Sequence, residues 1–485
     1  MQPKGTRTAG NRRRKNCPGR WLTALLLGTA LSFLALTPGP AWSNPVLDWT
    51  RPYLGPWQYA RNPGCIAVDT SGNVYVSGYA VFTTLPSTLS SWVTLKYKPD
   101  GQQEWLRQFG SATHIAPVGL ALDKGDNLWV TGYSGWIDIY TVKYDKNGTI
   151  LRQELVHDVT YDWNDPKGLV IDKDGNAIIT ADSSSGGKHN YLTIKYYAAG
   201  GQKSVRYQAP GNLNAPGALT VDGDGNIYVT GASRKDTASP PEFATVKYDA
   251  DLNQVWAARS PGMGDQLFPK AVAVDAHGNV FVTGYANVST PPYSTYAVTI
   301  KYDNLGGQQW YKTYGGPLGS HAAVEDLKLD AQGNVYVTGT ALAADYLWDL
   351  ATIKYNPATG DIVWEDRHRE PNGGCGGLSL ALDTQGAVYV LGYRQDLTTH
   401  LNDLVLLRYR NSGGLPAWVN RYGEPGRTMD ILTAHARLTM DRQGGLYVGA
   451  TAYLPGQPIK LLYYVTLKYR QVGEVIPAVE NLLLN

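Results

Sequence analysis

The sequence predicts an all-β protein, a β-propeller of eight four-stranded blades, and a repeat with two markers is the main reason. The first marker is an apolar triplet that ends in Asp, followed by Gly-Asn or a close variant and by an apolar-aromatic run closing on Thr-Gly or a close variant. The second marker is an alternating apolar run that ends in a cation and Tyr. Both recur eight times in the same order. Such a period is typical of units that cannot bury their apolar faces without neighbours.

The Asp of the first marker recurs every 49 to 58 residues. The eight copies are Asp69, Asp123, Asp172, Asp222, Asp275, Asp330, Asp383 and Asp441. The cations of the second marker are Lys96, Lys143, Lys195, Lys247, Lys301, Lys354, Arg408 and Lys468. The repeat covers nearly the whole chain after residue 45, which favours one large repeat domain over several ordinary domains.

Each unit contains four short extended runs. In the fourth unit they cover residues 218–222, 227–231, 243–248 and 254–259. The turn between the first two runs contains Gly225 and Asn226, residue types that tolerate positive φ, so a tight hairpin is expected there. Four antiparallel strands in roughly 50 residues describe one blade of a propeller.

A Trp marks the fourth strand in most units and indicates how the ring closes. It is found at Trp105, Trp256, Trp310, Trp364 and Trp418, and we expect Leu151 and Val205 to replace it in units two and three. The eighth unit has no such Trp, whereas Trp49 lies close to the N-terminus in a similar segment. We therefore predict that the N-terminal segment completes blade eight, which removes the open sheet edges. The alternative gives blade eight its own strand within residues 473–479.

The first 43 residues differ in kind from the rest. Seven cations precede an apolar stretch over residues 21–36, no acidic residue is present, and Ala41-Trp42-Ser43 resembles a cleavage site. This pattern predicts a signal peptide over 1–43, a propeller over 44–475 and a short tail over 476–485. The mature chain is expected to be exported to a periplasmic, cell-surface or extracellular location, without a transmembrane span. The alternative is an uncleaved membrane anchor.

The charge of the mature chain excludes one class of partner. Without the first 43 residues, 36 basic and 41 acidic residues remain, a formal charge of −5. Nucleic-acid binding requires clustered Lys and Arg against phosphates, and no such cluster is present in the sequence after residue 43. Only Cys65 and Cys375 remain after cleavage. In an oxidising compartment they could form a disulfide, with two free thiols as the alternative.

The core of the repeat resembles a known family. The pattern Asp-x-x-Gly-Asn-x-Tyr-Val-x-Gly, as in residues 330–339, with Thr-x-Lys-Tyr downstream, is similar to the bacterial SBBP β-propeller repeat and more distantly to NHL repeats. The resemblance covers about 430 residues. It implies an exported or surface propeller, while the family name refers to seven blades and this sequence has eight units.

Chain direction divides the links between strands into two sets. The first-to-second and third-to-fourth links are short Gly turns and share one face of the ring, while the long, dissimilar links share the other. Variable loops on a rigid frame are the usual place for function. We take as binding candidates the loop aromatics Trp136, Tyr293, Tyr346, Trp348 and Tyr453. The alternative is that these side chains merely cover the blade ends.

Metal sites are not predicted. His114 and His321 occupy equivalent positions four units apart and are low-priority binding candidates, because no metal-ligand spacing accompanies them. The repeated Asp is expected to accept N–H groups of its own turn, since the calcium-loop pattern is incomplete. The repeated cation is expected to pair with an Asp of a neighbouring blade.

No catalytic constellation is visible. The sequence has neither Gly-x-Ser-x-Gly nor a phosphate-binding loop. Residues 358–364 resemble the docking motif of eight-bladed pyrroloquinoline-quinone dehydrogenases, but a turn packed on Trp explains them without a cofactor, and no cofactor is predicted. We therefore expect a monomeric, non-enzymatic scaffold that binds a protein or a glycan. The alternative is an enzyme, either a quinoprotein-like oxidoreductase or a glycan-acting hydrolase or lyase.

Overall fold

The computed structural model describes residues 44–471 except for ten short gaps. These gaps are residues 56–59, 84–88, 113–114, 136, 158–159, 262–263, 424–426, 430–435, 454 and 456–461. The described residues belong to one compact unit, Trp42–Asn485. The predicted signal peptide and the predicted tail lie outside the described residues and stay predictions.

The described residues form 33 strands arranged in eight antiparallel sheets. Blade one contains β2 (Ala60–Val68), β3 (Val74–Thr83), β4 (Leu89–Tyr97) and β5 (Gln103–Ala112), and blade two contains β6 (Ile115–Leu122), β7 (Leu128–Ser134), β8 (Asp138–Tyr144) and β9 (Ile150–Val156). Blade three contains β10 (Trp163–Ile171), β11 (Ala177–Ser185), β12 (Lys188–Tyr196) and β13 (Gln202–Tyr207), and blade four contains β14 (Asn214–Val221), β15 (Ile227–Arg234), β16 (Pro241–Tyr248) and β17 (Gln254–Pro261).

Blade five contains β18 (Gln266–Val274), β19 (Val280–Val288), β20 (Ser294–Tyr302) and β21 (Gln308–Tyr314). Blade six contains β22 (Ala322–Leu329), β23 (Val335–Leu342), β24 (Trp348–Tyr355) and β25 (Ile362–His368). Blade seven contains β26 (Gly373–Leu382), β27 (Val388–Asp396), β28 (Asn402–Tyr409) and β29 (Trp418–Tyr422). Blade eight contains β30 (Thr428–Met429), β31 (Arg437–Met440), β32 (Leu446–Tyr453), β33 (Leu462–Arg470) and, as its outermost strand, β1 (Val46–Tyr53).

The first strands of neighbouring blades contact one another around the whole ring, from β2 through β6, β10, β14, β18, β22, β26 and β31 back to β2. These strands are therefore the innermost ones. The apolar cores lie between blades: one cluster joins Trp49 and Tyr464 of blade eight to Val76 of blade one. The eight-bladed propeller predicted from the repeat is confirmed.

The N-terminal strand closes the ring as predicted. β1 pairs antiparallel with β33, and Trp49 lies opposite Lys468. The Trp49 Nε1–H donates to the carbonyl oxygen of Pro99 in blade one at 3.0 Å, and Lys468 Nζ donates to the same oxygen at 2.8 Å. The alternative strand within residues 473–479 lies outside the described residues, but the edge of β33 that it would need is occupied by β1.

The strands of blade four extend further toward the long links than the pattern predicts. β14 begins at Asn214 rather than at residue 218. The reason is a β-bulge, because Pro216 lies opposite Gly231 and Ala218 lies opposite Thr230. The same irregularity occurs in the innermost strands of blades two, three, five, six and seven. A bulge interrupts the period-two alternation, so the pattern could not follow the strand past it.

The Trp of the fourth strand and the cation of the second marker fasten several blades to the blade that follows. Trp310 Nε1 and Lys301 Nζ of blade five both donate to the carbonyl oxygen of Pro357 in blade six, at 3.1 and 2.8 Å. The same double donation reaches Pro99, Lys146 and Asn411. The Trp of the fourth strand and the repeated cation are therefore parts of the frame.

The expected replacements for this Trp in blades two and three were wrong. The residue opposite the marker Lys is Arg152 in blade two and Lys203 in blade three, not Leu151 or Val205. Arg152 donates to the carbonyl oxygens of Tyr197 and Gly201 at 2.6 and 2.9 Å, and Lys203 donates to that of Asp251. The position requires an N–H donor that reaches the next turn, and an apolar side chain cannot supply one.

A glycine pair tests how tightly Trp and turn are packed. Gly360 and Gly201 occupy equivalent turns with positive φ, but a Cβ at Gly360 would lie 2.7 Å from the Trp310 ring whereas nothing lies within 4 Å of one at Gly201. Gly201→Ala should cost about 1 kcal/mol for its backbone conformation alone. Gly360→Ala should cost about 2 to 4 kcal/mol because overpacking adds to that strain. Denaturant unfolding measures both, and equal costs would contradict the packing argument.

Candidate functional site

The repeated Asp serves its own turn. In blade three, Asp172 Oδ1 accepts the backbone N–H groups of Asp174 and Asn176, each at 2.9 Å, and Oδ2 accepts Asn176 Nδ2 at 2.8 Å. The bond from the backbone N–H four residues further on to Oδ1 recurs at the other seven marker Asp residues. The turn interpretation is confirmed. Within the described ranges, no group of three or more His, Cys, Asp or Glu side chains is placed to hold a metal ion.

The repeated cation pairs differently from the expectation. Lys195 lies 2.8 Å from Asp172, and Lys143 lies 2.9 Å from Asp123, so these ion pairs are within one blade rather than between blades. The contact to the next blade is instead a hydrogen bond to a turn carbonyl, as from Lys195 to Ala250 at 2.8 Å. The ammonium group satisfies both partners because it carries three donors.

All neighbouring strands are antiparallel, so the short Gly turns share one face, the Asp-turn face, and the remaining links form the long-loop face. Three candidate aromatics are exposed there: Tyr346 by 77%, Tyr293 by 65% and Trp348 by 39%. They belong to the adjacent blades five and six, and we call them the aromatic patch. Tyr453 is half-buried and pairs with Leu462 between β32 and β33. Trp136 lies outside the described residues.

Tyr346 adopts an unusual backbone conformation. Its φ is +63°, and its N–H donates to the carbonyl of Ala343 at 2.9 Å in a tight turn. Positive φ is an outlier for a bulky residue and is commonly kept where a side chain must be presented. Beside it, Arg369 donates to Asp345 and, at 2.5 Å, to Asp349. The hydrogen bond from Arg369 holds the pKa of Asp345 below its ordinary value.

The candidate His321 has a structural role. Its backbone N–H donates to Gly315 and its carbonyl accepts the N–H of Leu342, at 2.9 Å in both cases, while Nδ1 lies 2.8 Å from Ser320 Oγ. These bonds tie the link that follows blade five to the second strand of blade six. His114 lies outside the described residues, so the predicted equivalence of the two histidines stays a prediction.

The two cysteines are buried free thiols, which was the alternative to a disulfide. Burial raises the pKa of Cys65 to about 12, and burial raises that of Cys375 to about 11. Both thiols are therefore protonated at neutral pH, and a protonated thiol is a poor nucleophile.

The segment that resembles a quinone-docking motif packs as part of the frame. Gly360 lies against the Trp310 ring, Asp361 forms a 2.9 Å ion pair with Lys312, and Trp364 Nε1 donates to Asn411 at 3.3 Å. The glycine–Trp contact and the Trp donation recur in other blades.

The sequence reasoning missed a His-Asp pair on the long-loop face. His189 Nδ1 lies 2.9 and 3.1 Å from the two carboxylate oxygens of Asp182. Burial raises the pKa of Asp182, and the hydrogen bond from His189 opposes that rise. One signal was available: Asp182 stands where most other units carry Tyr, Thr or Ala after the marker Thr-Gly.

Two sequence comparisons bear on the family. The model of the SBBP β-propeller repeat matches residues 262–289, a range that includes β18 and β19. No curated protein matches the chain. Among the described residues, no helix has the length and apolarity that a membrane crossing needs.

Solved structures resemble the chain only distantly. A mutant of the Synechocystis apocarotenoid oxygenase has 10% identity and a TM-score of 0.43, with 79% of this chain and 95% of that chain covered. A puromycin hydrolase mutant has 12% identity and a TM-score of 0.45, with 72% and 51% covered. The polysaccharide lyase Uly1 has 10% identity and a TM-score of 0.44, with 77% and 93% covered. Scores this low carry no argument about function. The chain is an eight-bladed β-propeller in which residues 262–289 match the SBBP repeat.

Proposed function

We propose that this chain is an exported binding scaffold whose aromatic patch receives a protein or a glycan. The observation that carries the proposal is Tyr346, which is exposed and held at positive φ at the tip of a tight turn. A strained, solvent-exposed aromatic contributes little to stability, so its presence is best explained by a contact made outside the chain.

The chemistry around Tyr346 suits such a contact. Tyr293 and Trp348 present further aromatic surface on the same two blades, and Arg369 is held in place by two carboxylates. Tyr, Trp and Arg are the residue types that contribute most to protein interfaces, and exposed aromatic rings also stack on sugars. The rigid blades hold these groups in position before binding, which limits the entropy lost on association.

Replacing the aromatic patch should abolish binding without harming the fold. The partner is first identified with a glycan array and by pull-down from the native cell envelope. Tyr346→Asn and Trp348→Ala should each weaken the affinity for that partner at least about tenfold. Tyr346→Asn should not lower the free energy of unfolding, because Asn adopts positive φ more readily than Tyr.

A matched control lies on the opposite face. Leu305 is 81% exposed in a turn of the Asp-turn face, so Leu305→Ala removes exposed apolar surface away from the aromatic patch. Its binding should equal that of the unmodified chain. Unchanged affinity in both aromatic variants, or an equal loss in Leu305→Ala, would refute the assignment of this surface.

A further inference from the structure

A second feature of the long-loop face is a cavity between blades three and four, whereas the aromatic patch lies on blades five and six. Its volume is about 570 Å³, within the range of small-molecule sites. The wall is formed by the β11–β12 hairpin at Ser185–Lys188, by residues 208–214 and by Tyr161. A smaller cavity of about 210 Å³ adjoins it, shares His189 and Asn212, and adds Arg234.

The wall is preformed. The His189 N–H donates to the Asn212 carbonyl at 2.9 Å, and the Arg234 N–H donates to the Leu213 carbonyl at 2.8 Å, so both blades hold the connecting link. The buried Asn214 side chain donates to the Gly211 carbonyl at 3.0 Å and fixes the turn of that link from inside. Binding of a ligand therefore orders few residues of the wall and costs little conformational entropy.

The polar groups on the wall match a hydroxylated ligand. Asp182 accepts from His189 Nδ1 and thereby orients the ring, which leaves Nε2 as the nitrogen available to a ligand. The amides of Gln208 and Asn212 are exposed at the wall. The Arg206 guanidinium lies 4.3 Å from the centre of the Tyr161 ring and holds that aromatic side chain at the rim.

The charges on the wall match an acidic group. Lys188 is exposed at the hairpin tip, and Arg234 lines the smaller cavity. A carboxylate is the acceptor that satisfies a guanidinium best.

We propose that this cavity binds a sugar acid. The carboxylate of the sugar pairs with Arg234 and Lys188, and its hydroxyl groups bond to His189 Nε2 and to the amides of Asn212 and Gln208. The site is independent of the aromatic patch, so either proposal can fail without the other.

Titration calorimetry of the full chain with D-glucuronate, D-glucose and acetate tests the chemistry. Glucuronate should bind at least about tenfold more tightly than glucose, which lacks the carboxylate, and than acetate, which lacks the hydroxyl groups. No binding of glucuronate, or equal binding of either comparison compound, would overturn the proposal. A methyl glucuronide and an acidic oligosaccharide then distinguish a free sugar from a residue of a polysaccharide.

Substitutions assign the binding to this cavity. Arg234→Gln should weaken glucuronate at least about tenfold, and Arg234→Lys should restore part of the affinity. If Arg234→Gln lowers the melting temperature, Lys188→Gln tests the site independently, because Lys188 is exposed. Lys188→Gln should also weaken the binding of glucuronate. Lys124→Gln removes an exposed cation from the Asp-turn face and should change nothing. Full glucuronate affinity in both Arg234→Gln and Lys188→Gln would place the binding elsewhere and refute the site.

Discussion

A chain that lacks residues 44–55 is expected to lose most of its free energy of unfolding. Those residues contain β1, whose Trp49 is buried against Tyr97 of blade one with ring centres 5.9 Å apart. Removing a buried Trp side chain alone costs about 3 to 5 kcal/mol. The deletion also opens the edge of β33 and removes the hydrogen bonds that Trp49 and Arg51 donate to blade one. The total approaches the roughly 5 to 15 kcal/mol that stabilises an ordinary domain.

Thermal and denaturant unfolding of the deleted chain measure this loss. A chain that ends at Gln471 is the matched control, because it retains every described strand of the ring, and it should melt like the full chain. A synthetic peptide of residues 44–55 added to the deleted chain should restore part of the melting temperature by pairing with β33. Normal stability of the deleted chain, or a large loss in the control, would contradict closure by β1.

The architecture could be predicted because it depends on patterns that are local in sequence and repeated. The spacing of Asp172 and its equivalents set the number of units, and the solitary Trp49 identified the strand that closes the ring. Strand direction alone then separated the Asp-turn face from the long-loop face. None of these steps required knowledge of a contact between residues distant in sequence.

Other features depended on such contacts and were missed. Arg152 and Lys203 replace Trp because each donates to a carbonyl of the next blade, and that partner lies 45 to 49 residues away in sequence. His189, which pairs with Asp182, lines a cavity only because residues 208–214 fold against it, and the sequence does not show that contact. The positive φ of Tyr346 is likewise invisible in the sequence, since Tyr does not favour that conformation.

The misses on the long-loop face share a physical cause. The repeat records the requirements of the frame, which are the same in every blade. A ligand site instead needs residues that differ from blade to blade, so it appears in the sequence as a departure from the pattern. Asp182 and Tyr346 are both departures of this kind, and they mark the two surfaces proposed here for binding.

Asp172→Asn is expected to destabilise the chain by about 3 to 5 kcal/mol at neutral pH, because it breaks a buried ion pair and leaves one partner unpaired. The side chains of Asp172 and Lys195 are only 1% and 3% exposed. Asn also cannot accept all the donors that the carboxylate accepts from Asp174, Asn176 and Lys195. Asp174→Asn is the control, since Asp174 is exposed in the same turn and should cost less than about 0.5 kcal/mol.

The pH dependence of the destabilisation by Asp172→Asn separates the effect of the carboxylate charge from the effect of the side-chain shape. Burial alone would raise the pKa of Asp172, but Lys195 and the N–H donors of Asn176 outweigh it, so its pKa lies below the ordinary value. A carboxyl group with a lowered pKa in the folded state stabilises the protein above the unfolded pKa, about 3.9, and loses that contribution as the pH falls through the folded pKa. The difference in unfolding free energy between the unmodified chain and Asp172→Asn should therefore be constant near neutrality and shrink below about pH 4. A difference that persists unchanged in acid would show that the carboxylate charge does not stabilise the turn.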